Sequence, residues 1–125
     1  MSTDVVTRFH ERMQARDWEG AAECLSPTIS VWWPASRERF SGASFLKVQR
    51  DYPEGWAITV HETVRSGTET DGRVAARVSV DQEGERFWCF GFYSVADGVI
   101  VDAIESWVTE GAEPVPAWRV GYADG

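Results

Sequence analysis

The chain has 125 residues and a formal net charge of −8 at pH 7. That length suits one domain with an adequate core, and the acidic balance opposes contact with nucleic-acid phosphates or an anionic membrane surface. Hydrophobic residues make up 43% and charged residues 26%, ordinary for a soluble globular chain, yet seven tryptophans and six phenylalanines are many for this length and imply a structure that uses large rings.

Thr3-Asp4 marks a helix start, after which Val5, Val6, Phe9 and Met13 recur at helical spacing among Arg8, Glu11, Arg12 and Gln14. His10 falls on the flank of this helix and is expected to be half exposed. Asp17 can cap a second, shorter helix through Trp18, Ala21, Ala22 and Leu25, which Pro27 stops because proline lacks the donor for continuation. "TISVWWP" gives a short strand from Thr28 to Trp33. After the polar link "SRERF", Ser41 or Gly42 opens a third helix carrying Phe45, Leu46 and Val48, ended at Tyr52-Pro53.

From Trp56 the period changes to two. Four strands are expected, roughly Trp56 to Gly67, Arg73 to Asp81, Arg86 to Val95 and Val99 to Thr109. They are separated by Asp71-Gly72, Glu83-Gly84 and Asp97-Gly98, dipeptides that supply the positive φ of tight hairpins. Residues 110–125 are proline-broken and should run over the surface as an extended tail of a single domain spanning 1–125, with Trp118 pinning the tail or a subunit contact. Cys24 and Cys89 lack the paired spacing of a metal site or disulfide framework and read as reduced, buried thiols. The chain opens on a charged amphipathic segment, and no apolar run approaches ~20 residues, so a cytoplasmic location is expected.

One carboxylate breaks the pattern of the last strand. In "VDAIESWV", Val101, Ala103, Glu105 and Trp107 share a face by the two-residue period, which sets a charge among apolar neighbours. A two-residue Asp97-Gly98 loop pairs Phe92 with Ala103, Phe90 with Glu105 and Trp88 with Trp107. Directly opposed residues share a face, so Glu105 should be ringed by Trp88, Phe90, Phe92 and Trp107. Tyr93, Ile104, Ser106 and Val108 should look the other way.

At Glu83-Gly84 a strict two-residue loop puts Val80 beside Phe87, whereas a bulged three-residue loop puts it beside Trp88; the bulge is preferred. It brings Ala76, Val78 and Val80 to the Glu105 side. In the first long strand Trp56, Ile58, Val60 and Val64 share a face interrupted by Glu62. That glutamate is either a strand end leaving the core or a second pocket carboxylate, while His61 is expected on the solvent or partner side.

The order helix, helix, strand, helix, then four antiparallel strands, carried by "VVTRFHERMQARDWEGAAECLSP", Phe40-Ser41-Gly42 and "ADGVIVDAIESW", resembles the nuclear transport factor 2-like superfamily. The similarity is to the branch with SnoaL-like polyketide cyclases and ketosteroid isomerases. It implies an α+β fold of the cystatin-like kind: a cone-shaped, strongly curved, mostly antiparallel sheet with three helices on its concave side. It also implies a pocket in the cone and a homodimer, assigned to the face carrying Tyr93, Ile104, Ser106 and Val108.

Relatives of limonene epoxide hydrolase carry an acid matching Glu105 together with an arginine and a second acid on a neighbouring strand, where this chain has Val78 and Val80. Steroid isomerases place a base just beyond the first strand, where this chain has Trp33-Pro34. SnoaL-like cyclases pair an acid with a histidine, which the expected inward set Trp88, Phe90, Phe92 and Ser94 lacks.

Three readings of Glu105 follow. It pairs structurally, with Arg50 or Arg119 as partner, or faces water; it carries protons; or it anchors a ligand hydroxyl or amine. Desolvation disfavours a carboxyl's charged form, and a carrier poised near neutrality suits transfer from carbon or water. Trp33, Tyr52 and Trp56 are expected to join Trp88, Phe90, Phe92, Trp107 and Glu62 around an apolar, cyclic or aromatic ligand. The expectation is a small-molecule enzyme or enzyme-like protein of isomerase, cyclase or hydrolase type, with Glu105 catalytic and neither cofactor nor metal. The alternative is a ligand-binding module or dimeric scaffold.

Overall fold

In the computed structural model, which describes residues 4–125, Asp4 caps the first helix by accepting from the Thr7 backbone N–H at 3.0 Å. Thr3, the other half of the expected helix start, lies outside the described residues. Helix α1 (Val5–Gln14) buries Val5, Val6, Phe9, His10 and Met13, and Arg16, with φ of 59°, turns the chain back sharply. Asp17 then caps α2 (Trp18–Glu23) by accepting from the Gly20 N–H.

This second helix ends earlier than Pro27 would require. Leu25 is needed in the core, and the Ile100 N–H bonds the Cys24 carbonyl at 2.8 Å, so the chain is already extended there. Strand β1 (Leu25–Trp33) therefore starts before Thr28 and contains Pro27. The pairing with its neighbour shifts between Leu25 and Ser30, around the residue that cannot donate.

A short strand β2 (Glu38–Phe40) returns antiparallel against Trp33, Trp32 and Val31; its three residues carry no period long enough to read from sequence. Ser41 and Ser44 form a reciprocal cap that opens α3 (Gly42–Asp51), and Tyr52-Pro53 ends it as expected. Four long strands follow: β3 (Ala57–Gly67), β4 (Asp71–Gln82), β5 (Glu85–Ala96) and β6 (Val99–Thr109). The six strands form one open, curved sheet in the order β2-β1-β6-β5-β4-β3, antiparallel except where β1 runs parallel to β6. The architecture is α+β, with three helices against the sheet. Phe9 of α1 stacks on Phe45 of α3 at 5.7 Å, and both belong to one core cluster with Val74, Ala76 and Val78 of β4.

Register decides which residues look inward, and it differs from expectation at three places. The β4–β5 hairpin is the strict two-residue loop: Glu83 and Gly84 have φ of 50° and 84°, and Val80 pairs with Phe87. The β5–β6 hairpin turns at Asp97-Gly98, but Val101 is an extra residue on β6, so Gly91 and not Phe90 pairs with Glu105. On β3, His61 is extra, after which Val64 faces out and Thr63 faces in. Asp71-Gly72 does not form the β3–β4 turn; residues 68–70 do, and Gly67 pairs with Gly72.

The inward set of β5 is consequently Phe87, Cys89, Gly91, Tyr93 and Val95, while Trp88, Phe90 and Phe92 stand on the outer face. The first two slips cancel across β5, so Ala76, Val78 and Val80 do lie on the Glu105 side. Residues 110–125 form no strand, contain one 3₁₀ turn (Ala117–Arg119) and are exposed throughout, with Trp118 at 74%. Among the described residues, no helix is long and apolar enough to cross a membrane.

Candidate functional site

The space between helices and sheet is a cavity of about 430 Å³. Its floor is Val78 and Val80 of β4, Phe87 of β5 and Trp107 of β6; Trp33 of β1 and Trp56 before β3 wall it, and Met13 and His10 of α1 roof it. Val48, Gln49 and half-exposed Tyr52 at the end of α3 form one lip, and Ala35 and Ser36 of the β1–β2 turn with Glu38 at the start of β2 the other. Apolar walls with a few convergent polar groups are the usual form of a small-molecule site.

Glu105 is the acidic group inside, only 2% exposed. Its Oε1 accepts the Trp33 indole N–H at 3.0 Å, and its Oε2 accepts the Tyr93 hydroxyl at 2.5 Å. The donors are thus a neutral indole and a neutral phenol rather than Arg50 or Arg119. A carboxylate has about four lone-pair sites, so these bonds fix its orientation and leave further acceptor capacity. Burial, followed by the neighbouring Glu105 charge, pushes the Tyr93 hydroxyl well above its ordinary pKa, so Tyr93 stays a donor. Gly91, directly opposite Glu105, makes room for this arrangement: a Cβ there would strike the Tyr93 ring.

His10 is the second titratable group. It lies on the buried face of α1, 3% exposed, edge-on to Tyr93 at 6.1 Å. Burial lowers its pKa below the ordinary 6.5, although Glu105, the Val6 carbonyl and Asp4 all act to raise it. The ring is therefore neutral at pH 7. Its Nδ1 lies 2.8 Å from the Val6 carbonyl oxygen, which can only accept, so Nδ1 carries the hydrogen and Nε2 keeps a lone pair. Cys89, also buried beneath Glu105 and Tyr93, is held as the thiol by burial, which raises its pKa far above normal.

Of the residues singled out from sequence, Glu105, Trp33, Tyr52, Trp56 and Trp107 border the cavity. Trp88, Phe90 and Phe92 do not: the Val101 bulge turns them to the outer face, where Trp88 and Phe90 stack at 6.1 Å and Phe92 is 66% exposed. Glu62 does not enter either. The extra residue His61 rotates it outward, where its Oε1 accepts from Arg77 Nε at 3.2 Å. His61 lies on the same outer face, 2.7 Å from Ser79 Oγ and against the Trp88 ring.

Two residues of the site were missed, His10 at the cavity and Tyr93 behind Glu105. His10 is four residues after Val6 and three before Met13, so the helical period places it on the apolar stripe despite its polarity. Tyr93 was placed outward, at the subunit face, through the slipped register, and no local signal corrects that.

Comparison with known proteins agrees with this architecture. A family model for the SnoaL-like domain matches residues 6–103. No curated protein matches the chain. Among solved structures, a candidate ketosteroid isomerase from Kribbella flavida aligns over 97% of this chain and 86% of its own, with a TM-score of 0.80 at 24% identity. The candidate polyketide cyclase IdmH from Streptomyces antibioticus aligns over 85% of this chain and 89% of its own, with a TM-score of 0.70 at 16% identity. An LEH-like epoxide hydrolase from M. tuberculosis aligns over 83% and 80%, with a TM-score of 0.62 at 16% identity. At such identities the likeness is one of fold.

Proposed function

This chain belongs to the SnoaL-like domain family, and we propose that it is a small-molecule enzyme which moves a proton on an apolar, cyclic or aromatic substrate held in the cavity. The observation that carries this reading is Glu105, a carboxylate sealed among tryptophans at the cavity wall and oriented by Trp33 and Tyr93. Acids are seldom buried without a partner of opposite charge, and two neutral donors orient a proton acceptor without quenching it by an ion pair.

In the proposed chemistry Glu105 takes a proton from an acidic carbon or from water and returns it at a second position. His10 Nε2, with its lone pair, offers the second proton site. Tyr93 keeps the carboxylate from rotating, and the indole walls exclude water and bind the ring system. Isomerisation is such a transfer outright, while in cyclisation the carbanion left by it attacks an electrophilic carbon of the same substrate and in hydrolysis the activated water attacks and the departing oxygen takes up the proton; each reaction appears in the name of a structural neighbour.

The test is a thermal-shift screen of lactones, ketones and polycyclic aromatics, followed by turnover assays with Glu105→Gln. The variant should lose about 10²- to 10⁴-fold in kcat, with substrate affinity little changed. Full turnover by Glu105→Gln would remove the catalytic assignment. Ligand binding without turnover in the wild-type chain would leave a binding module.

The same reading pairs two copies through the outer sheet face. Val64, Phe90, Phe92, Ile104 and Val108 are all exposed there, and an apolar patch of this kind is uncommon on a monomer.

A further inference from the structure

The charges that line the cavity have one sign. Its charged side chains are Glu38 and Glu105; His10 is neutral at pH 7, and no lysine or arginine is among the lining residues. Glu105 sits deep, held by Trp33 and Tyr93. Glu38 stands exposed at the mouth, directly opposite Trp33 in the β1–β2 pair, so both side chains project from one face.

Neither Glu38 nor its neighbour Arg37 forms an ion pair among the described residues. The other cations of this region are engaged elsewhere. Arg39 donates to Ser30 Oγ at 2.7 Å and lies 4.9 Å over the Trp32 ring, on the opposite face from Trp33, and Lys47 of α3 is paired with Asp51.

Aromatic rings frame the same opening. Trp33 and Trp107 are half-buried and Tyr52 is 44% exposed, so ring surface is open to a guest. A cation over an aromatic face is attracted by the ring's quadrupole, more strongly where water is displaced. A carboxylate beside such rings, at a cleft with no cation of its own, favours a positively charged guest and repels a carboxylate or phosphate.

We infer that Glu38 is a specificity determinant and that the cavity takes a ring compound carrying a tertiary or quaternary ammonium. The ammonium lies at the mouth between Glu38, Trp33 and Tyr52, and the ring lies inside toward Glu105. Trp33 links the two acids: its indole N–H meets Glu105, and its backbone pairs with that of Glu38. The ammonium therefore stands about the length of a tryptophan side chain from the reacting carbon. This rests on the reading of the cavity as a small-molecule site and narrows its ligand class.

The experiment titrates the full chain with three probes of similar shape. These are benzyltrimethylammonium, its neutral isostere neopentylbenzene, in which carbon replaces nitrogen, and the anion benzenesulfonate. The cation should bind about tenfold more tightly than the isostere, with its methyl protons moved upfield by the rings, and the anion should bind most weakly. Glu38→Gln should cut the cation's preference about two- to fivefold, and Glu38→Lys should abolish it. Glu62→Gln, on the outer face, changes the net charge as much as Glu38→Gln and should leave the preference alone. Glu38 and Glu62 are both exposed, so these variants keep the fold.

Binding of the cation no tighter than that of the isostere overturns the inference and leaves the cavity reading intact. So does a preference that Glu38→Gln leaves unchanged, or that Glu62→Gln lowers as far, since either would mark attraction by the chain's net charge. Binding of none of the three overturns the inference, and the screen of lactones, ketones and polycyclic aromatics then decides the cavity reading separately.

Discussion

Tyr93 lies across Gly91 on the inner face of β5 and donates its hydroxyl to Glu105 Oε2 at 2.5 Å, so one strand supplies both the slot and the donor that hold the buried carboxylate. Removing the hydroxyl while keeping the ring leaves that oxygen buried without its donor. Tyr93→Phe should therefore lower unfolding stability by about 1–3 kcal/mol, measured by urea denaturation with an unchanged m-value. A cost near zero would mean that the hydroxyl does not hold Glu105.

Gly91 should be irreplaceable for reasons of space alone. A Cβ at this position collides with Oη, Cε1 and Cζ of Tyr93. Gly91→Ala is expected to displace the ring from Glu105 and destabilise the fold, whereas the same change in a Tyr93→Ala background should cost little, because the colliding ring is gone. A double-mutant cycle should give a coupling of at least about 1 kcal/mol; additive effects would refute the slot.

Most of the fold was legible because its signals are local. Asp4, Asp17 and Ser41 are side-chain caps, Tyr52-Pro53 ends a helix, and Asp97-Gly98 makes a two-residue hairpin. Face assignments failed where the signal was not local. Val99, Ile100 and Val101 are all β-branched, so nothing in the pattern marks Val101 as the residue that drops out of the ladder, and one silent bulge reversed the whole of β5. That reversal exchanged Tyr93 for Phe90 and Phe92 as neighbours of Glu105. The placement of Glu105 itself survived because β6 was phased from its own apolar residues, Ala103 and Trp107. His10 shows the opposite failure: the helical period was readable, but polarity was allowed to outweigh it.

Glu62 gives a control for this correction. Its carboxylate pairs with Arg77 on the outer face, and both side chains are substantially open to water. Exposed pairs of this kind contribute little, because solvent screens them and both side chains lose freedom. Glu62→Gln should leave turnover, probe binding and the thermal midpoint at wild-type values. A fall in turnover comparable to that of Glu105→Gln would put Glu62 back at the reacting centre.

Association of two copies should depend on the outer face of β5 and β6. Phe92 is 66% exposed and stands beside Ile104, its direct cross-strand partner. Phe92→Asp places a charge in the middle of the apolar patch without touching the inner face. Sedimentation equilibrium should then show a monomer where the parent chain is a dimer, with ligand binding in the cavity retained. A parent chain that sediments as a monomer at all concentrations would exclude this pairing.

His10 should make stability depend on pH in a defined direction. Burial holds its folded pKa below 6.5, with Glu105, the Val6 carbonyl and Asp4 opposing but not cancelling the shift. In the unfolded chain the imidazole titrates near its ordinary value. Between the folded pKa and 6.5 the unfolded chain therefore binds more protons, and the linkage relation makes stability rise with pH across that window. Above it the neutral ring contributes no pH dependence; as the pH falls through it, stability is lost at up to about 1.4 kcal/mol per pH unit, and below the folded pKa the loss is complete. His10→Gln removes this slope. Denaturation curves taken from pH 7.5 to pH 5 should show the wild-type chain losing stability more steeply than the variant, with the difference confined below pH 6.5. Parallel curves would mean that the imidazole titrates alike in both states, and a steeper loss in the variant would reverse the sign of the burial effect.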